Sequence, residues 1–165
     1  MIMFKKKINY NDLLKLILQI GYERYNALNN DLKQEFYYNE NYFYIIWQLI
    51  NCFIFKRMLV FRKIISNDKD VLADFRELLC ESILTELKDD LSLGIININN
   101  EINDIWKNDN DTNSNNEVNR TSNFLVNEML ECDDNENIEL KLFFSQYLTD
   151  CHFENKKIIQ NFKVV

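Results

Sequence analysis

Residues 42–55 read Tyr-Phe-Tyr-Ile-Ile-Trp-Gln-Leu-Ile-Asn-Cys-Phe-Ile-Phe, and this run constrains the fold more than any other stretch. A helix built on it is apolar nearly all round, the pattern of a helix covered on several sides. The run has 14 residues, carries Gln48 and Asn51 inside it, and is closed by Lys56 and Arg57. A membrane span needs about 20 apolar residues. The run is therefore expected as a central, buried helix and not as a membrane anchor.

The flanking sequence supplies helices to cover it. Leu13, Leu14, Ile17, Leu18 and Tyr22 fall on one stripe at 3.6 periodicity, predicting a first helix from a cap at Asn11 to about Leu28, weakened by Gly21. Asn29-Asn30-Asp31 marks a break, and a second helix is predicted from near Leu32 to Ile65, interrupted around Tyr38–Asn41. Ser66-Asn67-Asp68 is a start signal for a third helix, from about Lys69 to Leu91, on the stripe Val71, Leu72, Phe75, Leu78, Leu79, Ile83 and Leu87. Its other face is acidic, with eight acids against three bases between residues 68 and 90. That face reads either as solvated surface or as a docking face for a basic partner. Residues 94–107 fit a short strand or a fourth helix.

The predicted organisation has three parts: a helical domain over residues 1–107, an Asn-rich linker over 108–120, and a small β-rich C-terminal domain over 121–165. The linker rests on the polar, low-complexity composition of Asn108–Asn119. In the last part, Asn123–Cys132 could be a strand and residues 133–137 are turn-like. Ile138-Glu139-Leu140-Lys141-Leu142 alternates as a half-buried strand does. A short helix over Glu154–Gln160 and a last strand at Phe162-Lys163-Val164 complete it. The fold class expected is mainly α.

Composition narrows the function. The net charge of −7 argues against gripping nucleic acid through bulk charge, and two glycines exclude a Gly-rich phosphate cradle. The cysteines, Cys52, Cys80, Cys132 and Cys151, form no CxxC pair, and His152 is the sole histidine. Buried free thiols are expected, with no metal and no cofactor. No apolar h-region follows the basic residues Lys5–Lys7, so an intracellular, reducing compartment is expected. No nucleophile elbow or Walker lysine occurs, and carboxylate pairs such as Asp70/Asp74 and Glu77/Glu81 carry no sign of a cleft. The basic run Lys56, Arg57, Arg62, Lys63 suits a helix C-terminus. The expectation is a protein that is not an enzyme.

Two stretches carry a family likeness. Ile45–Ile65, and within it Phe53-Ile54-Phe55-Lys56-Arg57-Met58-Leu59-Val60-Phe61-Arg62-Lys63-Ile64, is similar to the long helix of subunits of the GINS family of eukaryotic DNA replication. There an apolar stretch runs into an Arg/Lys-rich turn. Ile138-Glu139-Leu140, Ser145-Gln146-Tyr147-Leu148, Ile158-Ile159-Gln160-Asn161 and Val164-Val165 resemble the C-terminal part of the Sld-five type, and less closely the Psf-one type. The chain departs from the family at Asn161, where the turn usually has Gly, and at Thr149-Asp150, where a basic residue is usual. The resemblance implies a subunit of a nuclear heterotetramer that supports the replicative helicase.

The expectation is thus a non-enzymatic subunit of a hetero-oligomeric protein assembly, with no direct nucleic-acid contact and no membrane. Tyr42, Tyr44, Trp47, Phe53 and Phe55, with the acidic face of the third helix, are the expected interface. The alternative is a small helical adaptor or scaffold that binds one protein partner and has no role in replication.

Overall fold

The computed structural model describes residues 5–65, 71–83, 114–130 and 132–165. They form β1 (Lys6–Ile8), α1 (Tyr10–Leu32), α2 (Glu40–Phe61), α3 (Val71–Ile83), α4 (Ser114–Met129), α5 (Asp134–Gln160) and β2 (Phe162–Val164). The mainly α expectation holds. Residues 94–113, and residues 69–70 and 84–91 of the third predicted helix, lie outside the described residues.

Each helix start has a local cause. The Asn9 side chain accepts from Asp12 N–H at 2.8 Å, so the cap of α1 lies two residues before the predicted one. Asn39 caps α2 in the same way through Tyr42 N–H, and Asp133 caps α5 through Glu136 N–H. The end of α2 is a Schellman turn: Lys63 N–H donates to Val60 O and Ile64 N–H to Leu59 O, both at 2.9 Å. Lys63 takes the left-handed conformation this turn demands, with φ of 55°. The helix therefore stops at Phe61 and not at Ile65.

Helix α2 is the centre. Ile46, Leu49, Ile50, Phe55 and Leu59 are fully enclosed, and α1, α3 and α5 pack around them. Val71, Phe75 and Leu79 of α3 close one side. Phe144 of α5 meets Phe43, and Tyr147 meets Trp47 at 5.6 Å between ring centres. Helices α4 and α5 run antiparallel, because Asn119 bonds Ser145, Ser122 bonds the Lys141 carbonyl and Asn127 bonds Asn137.

The C-terminal part corrects the sequence reading. Residues 114–119, expected in the linker, begin α4, and the candidate strand 123–132 lies largely within α4. The alternating segment 138–142 is the second turn of α5, and the short helix at 154–160 is its end. Residues 121–165 are thus two helices and one three-residue strand, not a β-rich domain. The last strand does form, but its partner is β1: the two pair in parallel, Lys6 with Phe162 and Ile8 with Val164. Ile8 and Val164 rest on the buried cluster, which gives so short a sheet its support.

Candidate protein-docking surface

All five aromatics expected at an interface lie on the core run of α2, and burial separates them. Trp47 is 1% exposed, Phe55 0% and Phe53 also buried, while Tyr42 and Tyr44 are half-buried. The chain's own helices cover the face that was expected to need a partner. Trp47, Phe53 and Phe55 belong to the core of this chain, and Tyr42 and Tyr44 lie at its edge. On α3, Glu77 and Glu81 are exposed as expected, whereas Asp74 accepts a hydrogen bond from Tyr10 OH at 2.8 Å.

The polar residues inside the run have a structural task. Asn51 donates to Ile17 O at 3.0 Å and Gln48 to Leu18 O at 2.9 Å, so both read the backbone of α1. Trp47 Nε1 donates to Gly21 O at 3.1 Å. Arg24 donates to Asn51 Oδ1 and pairs with Glu154 of α5 at 3.2 Å, its guanidinium 5.9 Å from the centre of the Phe55 ring. This seam fixes α1, α2 and α5 against one another.

Groups that often carry chemistry are enclosed by packing. Burial pushes the phenols of Tyr25, Tyr38 and Tyr147 up to about 12 and the Cys151 thiol up to about 11. Burial also drives Cys52 well above the ordinary thiol value. His152 is held below its usual value by burial, and further by the charges of Arg57, Lys156 and Arg62. Among the described residues, no group of three or more His, Cys, Asp or Glu side chains is placed to hold a metal.

Among the described residues, the outer side of α5 is left open. Its inward stripe is Leu140, Phe144, Leu148, Cys151, Asn155 and Ile159. Ile138, Leu142 and Phe153 lie on the opposite side, at 60%, 68% and 59% exposure. Beside them runs an open groove of about 360 Å³ between the end of α1 and the start of α5. Leu32 and Phe36 form one wall and Leu140 and Phe143 the other, with Phe143 45% exposed. Asp31 and Glu35 line the α1 side, and Glu136 and Glu139 the α5 side. None of these four carboxylates is paired with a cation among the described residues. The other end of α1, about 35 Å away, carries a shallow cleft lined by Lys6, Lys7 and Lys15.

No family model, curated protein or solved structure matches the chain. The surface therefore has to be read from its own chemistry. In the sequence alone this surface is hidden, because residues 138–142 alternate as a strand does. On a helix, the spacing of Ile138, Leu142 and Phe153 marks a second apolar stripe that the core does not use.

Proposed function

We propose that this chain is a non-enzymatic helical subunit that acts by holding a protein partner against the outer side of α5. The observation that carries this is the exposed set Ile138, Leu142 and Phe153 on a helix whose inward stripe is already filled. Ile138 and Leu142, one turn apart and next to the half-open Phe143, form a connected apolar patch, with Phe153 three turns further along the same side; such a patch marks an interaction surface. The burial of Cys52 and Cys151 supports a binding role over catalysis. The likeness of Ile45–Ile65 to the long helix of GINS subunits suggests the assembly: a heterotetramer at the replicative helicase, in the nucleus.

The test is affinity purification from native cells, with mass spectrometry of stoichiometric partners, for wild type and for Leu142→Ser/Phe153→Ser. Both side chains are exposed, so the variant keeps its helicity and melting temperature. It is expected to lose the partner. Three co-purifying helical subunits with helicase components give the replication assembly. One other stoichiometric partner gives an adaptor outside replication. Absence of any partner, or full retention by the variant, overturns the docking reading.

A further inference from the structure

The geometry points to a more specific occupant: the groove between the end of α1 and the start of α5 takes a basic, amphipathic segment of a partner protein, apolar side chains inward and Lys or Arg along the edges. This inference rests on the docking reading above and adds the chemistry of the partner.

Two properties coincide in the groove. Its walls are apolar, from Leu32, Phe36, Leu140 and Phe143, and Phe143 is left half open to water. Its margins carry four formal negative charges, two from each side, and among the described residues no Lys or Arg lines it or neutralises them. A purely apolar occupant would leave those charges facing one another across a partly dehydrated gap, where like charges repel more strongly than in water. A small cation would leave the apolar walls wet. A nucleic acid would be repelled. A peptide segment carrying both chemistries satisfies both walls, the usual arrangement when an amphipathic helix lies in a groove. Glu139 stands between the groove and Leu142 on α5, so an occupant can reach the outward stripe as well.

The probe is a fluorescein-labelled peptide of about 15 residues with Leu on one helical face and Lys and Arg on the other. Its counterpart has Glu in place of every Lys and Arg. Fluorescence anisotropy compares the full chain with three variants. Glu35→Lys/Glu139→Lys reverses one charge on each side of the groove, and neither residue is in the first turn of a helix. Phe143→Ser removes wall area without changing charge. Glu77→Lys/Glu81→Lys makes the same change in net charge on the exposed face of α3. Affinity is expected to fall about tenfold for the first two and to stay within about twofold for the third. The Glu peptide should not bind, and added salt should weaken the basic one. Equal losses in the two charge-reversed variants, binding of the Glu peptide, or no binding to wild type would overturn the inference. So would a salt-sensitive dimer in sedimentation that disappears in Glu35→Lys/Glu139→Lys, because the lysine cleft of a second copy would then be the occupant. A native partner lost from Leu142→Ser/Phe153→Ser but kept by Glu35→Lys/Glu139→Lys would leave the docking reading standing and sink this one.

Discussion

At the scale of single residues, the fold depends on a close approach between α1 and α2. A Cβ at Gly21 would collide with Gln48 Oε1 and stand 2.7 Å from Asn51 Nδ2, and both side chains are held by carbonyls of α1. Gly21→Ala is expected to lower stability by about 1–3 kcal/mol, read by denaturant unfolding; an unchanged midpoint would mean that the seam is looser than described. Asn155 is fully buried on α5, and among the described residues neither of its amide atoms has a partner. Asn155→Leu, which keeps the branched outline and the number of heavy atoms, should raise stability by about 1–2 kcal/mol by removing an uncompensated polar group. A loss of stability would show that the amide makes a bond. His152 supplies a pH dependence whose sign follows from its lowered value. Above its ordinary 6.5 both folded and unfolded chains carry it neutral. Below that the unfolded chain takes up the proton while the folded chain resists, so stability falls with acid. His152→Gln should remove that share of the acid loss, seen as a shallower fall in melting temperature between about pH 7 and 5. Equal slopes in the two proteins would contradict it.

At the scale of elements, helix ends decide what was legible in the sequence. The apolar run at 42–55 marks a core helix whatever surrounds it, because no solvated face can be drawn on it. Its end was harder to read, since the Schellman turn uses Lys63 where Gly is usual. Lys63→Gly removes a left-handed strain of about 1 kcal/mol, and a rise in melting temperature is the expected result. No rise would indicate that Lys63 makes compensating contacts. The start of α5 misled for a related reason. Asp and Asn favour turns and N-caps alike, so Asp133 to Asn137 reads as a loop until its capping bond to Glu136 is known. The five residues 138–142 then fit a period of two as well as the helix they belong to. The 27-residue helix decides, because Leu140, Phe144, Leu148, Cys151, Asn155 and Ile159 recur at three or four residues. A strand at 138–142 also hides the outward stripe, so the candidate site is illegible for the same reason as the start of the element carrying it.

At the scale of the whole molecule, the described helices bury one continuous cluster that runs from Leu13 on α1 through α2 to Ile159 on α5. The pairing of β1 with β2 brings the two ends of the described chain together beside it. Helix α2 is long and apolar enough to cross a membrane, yet most of it is enclosed by its own neighbours. The central claim is therefore an exchange of roles between two helices: the aromatic face of α2 is core, and the outer side of α5 is the surface left for a partner. Hydroxyl-radical footprinting with mass spectrometry tests it directly, first on the isolated chain and then on the native assembly. Leu142 and Phe153 should be labelled in the isolated chain and protected in the assembly, with Trp47 and Phe55 protected in both. Labelling of Trp47 and Phe55 in the isolated chain that disappears on assembly would contradict the account and return the interface to α2.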